Sequence, residues 1–186
     1  MNSLKKGFTL IELLVVIAIL AILATVIVVI INPAELLKQA RDTTRISDMA
    51  ALNSAVALYL ADVSTPYLCG ASACASLTTK CTVTTTTSPF VGGSCGTVNT
   101  TTTVDGNGWV SVNFGSISSG SPLSRLPIDP ANTTSFLYAF GANGLNYKLG
   151  ATMESTKYAG ATGVTRNAYD GGSQASWYEV GNSLAL

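Results

Sequence analysis

From Phe8 to Ile31 the chain is apolar, with only Thr9, Glu12 and Thr25 as polar interruptions. As a helix rising about 1.5 Å per residue, this run reaches about 36 Å, long enough to cross a hydrocarbon core. Asn32-Pro33 ends the uniform stretch, and proline inside a helix removes one ladder bond and kinks the rod. The sequence that follows resumes a helical period. Ile46, Met49, Leu52, Val56, Tyr59 or Leu60, and Val63 recur at three- and four-residue steps, which makes one apolar stripe in need of a covering sheet. Lys38, Arg41, Asp42, Arg45 and Asp48 fall on the opposite or flanking faces. They read as a solvated, salt-bridged surface, with subunit contacts as the sharper alternative.

Later the period changes to two. Val110, Val112 and Phe114 alternate with Ser111 and Asn113 after Gly106-Asn107-Gly108, the pattern of a half-buried strand. Residues 135–140 and 145–149 flank the turn Gly141-Ala142-Asn143-Gly144 and predict a hairpin. Residues 177–180 supply a last short strand. Leu126-Pro127-Ile128-Asp129-Pro130 breaks helix and strand alike, because two prolines deny the backbone its donors. The expected fold is α+β: a long N-terminal helix, membrane half plus amphipathic half, packed on a roughly four-stranded antiparallel sheet. Its organisation is a basic start at 1–7, a membrane-length helix at 8–31 and an amphipathic continuation at 32–64. A Cys- and Thr-rich loop region follows at 65–105 and the sheet at 106–186, with 32–186 forming one globular domain.

Composition narrows the chemistry. Only 11% of residues are charged and the formal charge is zero. A cut after Gly7 would leave eight basic against ten acidic side chains, which argues against nucleic acid. Histidine is absent, which removes His-based triads, His metal ligands and the commonest general acid/base. No enzyme and no catalytic residue is expected. Cys69, Cys74, Cys81 and Cys95 in a small polar domain point to an oxidising compartment, so the N-terminus would be cytoplasmic. Basic residues on both sides of the apolar run leave the positive-inside rule nearly silent. Four cysteines allow three pairings. Without paired C-x-x-C elements or histidine, two disulfides are expected rather than a metal site. Threonines crowd residues 78–104, a composition of exposed strand or loop with little core of its own. Asn99-Thr100-Thr101 and Asn132-Thr133-Thr134 fit the short N-x-[ST] acceptor pattern.

Glu12 poses the sharpest question. Thr9-Leu10-Ile11-Glu12 fits a capping box, with Phe8 and Leu13 placed as a hydrophobic staple, so that Glu12 caps a helix. A carboxylate at a bilayer centre costs roughly 2.5–3.5 kcal/mol on insertion scales, and less near the headgroups. The run is also too long for an ordinary secretory signal, and Ala21-Ile22-Leu23-Ala24 lacks the small-x-small cleavage spacing.

KKGFTLIELLVVIAILAIL resembles the N-terminus of type IV pilins and of their type II secretion relatives, the pseudopilins, continuously over residues 5 to 24. By position, the resemblance implies that residues 1–7 are a prepilin leader ending in Gly7. Phe8 is then the methylated new terminus and Glu12 the carboxylate that guides docking. It implies a pilin-like fold, a prepilin peptidase/methylase, and an inner-membrane assembly platform with its ATPase. It also implies contact with membrane lipid and self-association into a helical filament. The chain would sit single-pass in the cytoplasmic membrane before joining an extracellular or periplasmic filament. A structural pilus subunit is the leading reading; a major pseudopilin of a secretion pseudopilus and a minor, tip-located adhesin are the alternatives. LPxDP at residues 126–130 is similar to the secretion branch. Pilin disulfides more often staple a loop near the C-terminus, whereas these cysteines lie mid-chain. Related pseudopilins have a calcium loop, and Asp170-Gly171-Gly172 invites that comparison. Calcium needs ~6–8 oxygen ligands and carboxylates there are few, so a plain turn and no cofactor are expected.

Overall fold

The computed structural model describes residues 7–85, 87–91, 94–95, 97–159 and 170–186. Lys5, Lys6 and the rest of residues 1–6 lie outside it, as do four positions of the Thr- and Cys-rich region. The chain divides into two compact units, Met1–Leu37 and Lys38–Leu186.

In the first unit, helix α1 spans Leu10–Ile31 and has no buried side chain. Thr25, its one polar residue past the first turn, donates its hydroxyl to the Ile22 carbonyl at 2.8 Å, so its polarity is satisfied within the helix. At Asn32 the backbone turns left-handed (φ 45°, ψ 73°), a conformation that Asn tolerates better than most residues. Pro33 then opens helix α2, Pro33–Asp62, at the first helical position, where its missing N–H costs nothing. The Asn32 carbonyl accepts from the Glu35 and Leu36 amides at 3.0 and 3.3 Å. The expected kink is therefore a break between two helices.

In the second unit the strands are β1 (Thr78–Cys81), β2 (Thr97–Val98), β3 (Tyr138–Asn143), β4 (Asn146–Thr152) and β5 (Trp177–Gly181), with a short helix α3 at Thr156–Ala159. They form one five-stranded sheet in the order β2-β1-β3-β4-β5. All pairings are antiparallel except β1 with β2. Met49, Leu52, Val56 and Tyr59 of α2 are buried against one sheet face, together with Tyr138, Phe140, Tyr147, Leu149 and Ala151. This is the helix-on-sheet core that the stripe requires.

Three expectations change. The sheet is mixed and five-stranded rather than four-stranded and antiparallel, and two of its strands come from residues 65–105. The segment 110–114 is not a strand. Ser111 is buried as well as Val110 and Val112, and the backbone bonds to irregular partners: Gly70 N–H to the Ser111 carbonyl at 2.8 Å, and Phe114 N–H to the Val104 carbonyl at 2.8 Å. Apolar residues at every second position also suit a chain buried on both sides, so alternation alone did not identify a strand. The first strand of the hairpin runs three residues later than expected and the second starts one residue later, closing through the pair Asn143 and Asn146, with Gly144 at φ 61° supplying the left-handed turn residue.

The other sheet face carries a smaller core of Cys81, Phe90, Leu137, Ala139 and Trp177. Disulfides join Cys69 to Cys74 and Cys81 to Cys95, with Cα atoms 5.4 and 5.6 Å apart. The second ties β1 to the loop covering this face.

Candidate functional site

At the start of α1, Gly7 is so open that a Cβ placed on it would meet nothing within 4 Å, and Phe8 is 87% exposed. Thr9 is the N-cap, extended at φ −81° and ψ 151°. Its hydroxyl accepts the Glu12 N–H at 3.3 Å. In return Glu12 Oε2 accepts the Thr9 N–H at 2.8 Å and the Thr9 hydroxyl at 2.7 Å. The capping box read from the sequence is thus closed in both directions. Its consequence is chemical: the single carboxylate of an apolar rod has local donors and need not stand bare in lipid. Both donors converge on one oxygen, Oε2.

A second polar constellation ties α2 to the domain. Arg45 is fully buried; its Nε and Nη2 donate to the two oxygens of Asp129 at 2.6 and 2.9 Å, and Nη1 donates to Asp42 at 2.7 Å. Asp42 also accepts the Glu154 and Ser155 amides and the Ser155 hydroxyl, at 2.6 to 2.9 Å. Asp129 also accepts the Ala131 and Asn132 amides at 2.8 and 3.1 Å. Arg41 forks onto Glu154 and so holds that carboxyl below its ordinary range against the opposing effect of partial burial. For Arg45 burial pulls downward, but Asp129 and Asp42 outweigh it and raise its pKa. Asp48 accepts the Tyr138 hydroxyl at 2.7 Å; burial raises its pKa, with that hydroxyl working against the rise. The element at 126–130 is therefore a clamp on the helix: Leu126 enters the core, the Pro127 carbonyl accepts Trp109 Nε1–H at 2.9 Å, and Asp129 grips Arg45.

Asp42 and Arg45 correct the expectation of a solvated charged face. The signal was present in the spacing, since 42, 45, 49, 52, 56 and 59 are one continuous stripe and the charge at its first two positions disguised it. Lys148 and Glu179 were also missed. Both are buried and pair at 2.8 Å on the second sheet face.

The four cysteines form two disulfides within residues 69–95. The Asp170 carboxylate, considered for calcium, accepts the amides of Gly172 at 2.7 Å and Glu179 at 2.6 Å. Among the described residues no group of three or more His, Cys, Asp or Glu is placed to hold a metal ion. Thr84, Thr85, Thr87, Thr134 and Ser135 line an open, charge-free cleft of about 430 Å³.

Residues 2–28 match the family model of the prokaryotic N-terminal methylation motif. Residues 2–28 therefore carry a type IV pilin- or pseudopilin-like prepilin leader, and among the described residues one helix is apolar and long enough to be compatible with a membrane anchor. No curated protein and no solved structure matches the chain.

Proposed function

We propose that this chain is a structural subunit of a type IV pilus-like filament. A prepilin peptidase cuts between Gly7 and Phe8, the Phe8 amine is methylated, and the mature subunit polymerises from the inner membrane through α1 with the help of an assembly platform and its ATPase. The observation that supports this most is α1 itself: a 22-residue apolar helix with no buried side chain, carrying its one carboxylate in the first turn. In a filament core such helices cover one another, and the Phe8 ammonium of one copy pairs with Glu12 Oε1 of the next, where a lower dielectric strengthens the attraction. An unmatched charge there is penalised, so the pair sets register between copies.

A periplasmic secretion pseudopilus is the second reading. What favours it is the LPxDP element, whose Asp129 is built into the fold by its bidentate grip on Arg45.

Mass spectrometry of the mature protein tests the processing step: the expected N-terminus is a methylated Phe8, and a chain that keeps its first seven residues excludes the proposal. Glu12→Val is expected to insert and be cut normally yet fail to assemble; filaments at wild-type yield would remove Glu12 from the mechanism. Electron microscopy of sheared surface material decides between the two readings, since long surface filaments are expected of a pilus.

A further inference from the structure

We infer that residues 88–91 form a plug held in a glycine-floored socket on the second sheet face, and that the Cys81–Cys95 disulfide is a redox switch governing access to Lys148 beneath it. The socket is shaped for this occupant. On β3, a Cβ at Gly141 would run into the Phe90 ring, and on β4 one at Gly150 would sit 2.9 Å from Pro89 Cγ and 3.1 Å from Trp177 Cε3. Phe90 packs there with Cys81, Leu137, Ala139 and Trp177. Beneath the plug Lys148 Nζ donates to the Pro89 carbonyl at 2.5 Å, to Ser173 Oγ at 2.9 Å and to the Leu184 carbonyl at 3.2 Å. It also pairs with Glu179 and lies 5.6 Å from the centre of the Phe90 ring. A buried ammonium must have its three N–H donors matched, and one of the four acceptors around this one belongs to a segment that contributes no strand to the sheet.

That segment is tethered by the disulfide, by Thr79, whose hydroxyl donates to the Ser94 carbonyl at 2.6 Å, and by the Val91 amide, which donates to the Leu186 carbonyl at 3.1 Å. The pairing of β1 with β2 already closes this loop at its ends; the disulfide shortens the free span and so restricts the unseated states of residues 88–91. Closure takes two electrons and two protons from the Cys81 and Cys95 thiols and passes them to a disulfide oxidant, which leaves as its dithiol. A dithiol reductant reverses the exchange by attacking the partly exposed Cys95. Cys69–Cys74 lies outside the socket and serves as the internal control.

The full chain in detergent is acetylated with acetic anhydride, and the Lys148 and Lys157 peptides are quantified by mass spectrometry. Lys157 is exposed and reports the open rate. In oxidised protein Lys148 is expected to react on the order of 100-fold more slowly than Lys157. A dithiothreitol pulse on folded protein, or the double variant Cys81→Ser/Cys95→Ser, raises Lys148 labelling at least tenfold while α2 amide exchange stays slow. Cys69→Ser/Cys74→Ser leaves Lys148 protected. Equal protection of Lys148 in oxidised and reduced protein overturns the switch. So does a reduction that opens Lys148 and the α2 amides together, because the disulfide would then hold the whole domain rather than a local plug.

Discussion

Arg45 concentrates the physical risk of this domain in one side chain. A guanidinium removed from water is tolerated only with its donors matched, and here the match is a planar fork on Asp129 plus a third bond to Asp42. Removing the cation leaves two buried carboxylates facing each other's charge with only backbone and Ser155 donors. Arg45→Ala should therefore lower the unfolding free energy by about 3–5 kcal/mol. Arg45→Lys keeps the charge but loses the fork, and should recover only part of that loss. Urea unfolding of the detergent-solubilised chain measures both. Asp129→Asn combined with Arg45→Ala should cost less than the sum of the two single changes, because partners in one network do not add; strict additivity would show that the clamp between helix and 126–130 carries no coupling energy.

At the scale of elements, α2 changes environment along its length. Leu36 and Leu37 are 49% and 62% exposed, whereas Met49 and Leu52 are fully buried. Leu52→Ala should then cost about 2–5 kcal/mol through lost transfer energy and a cavity, and Leu37→Ala close to nothing in the isolated subunit. Thermal melts followed by circular dichroism separate the two; comparable losses would mean that the helix packs along its whole length. The apolar period of α2, the cap at Thr9 and Glu12, the presence though not the position of the hairpin, and the strand at 177–181 were legible because each rests on a local rule. The strands at 78–81 and 97–98 were not legible. They are four and two residues long, they come from a threonine-rich stretch without alternation, and their pairing is decided by β3 and by the Cys81–Cys95 bond rather than by their own sequence. The capping role of Glu12 was readable from motif spacing, while the Arg45 network was hidden by the assumption that charge marks a solvated face.

At the scale of the molecule, burial is divided unevenly along the chain. Every buried side chain among the described residues lies at or beyond Asp42, and α1 contributes none. The apolar surface of α1 is left open along its whole length, a surface suited to lipid or to a protein partner. Deleting residues 1–37 should yield a monomer that stays soluble without detergent, melts cooperatively, and keeps its melting temperature within a few degrees, since the buried side chains among the described residues are all retained. The intact chain, by contrast, should need detergent or lipid to remain dispersed. Size-exclusion chromatography and circular dichroism of the two forms check this. A truncated chain that is molten or aggregated would mean that the first helix is needed to complete the fold, and the separation between a rod that assembles and a domain that folds alone would fail.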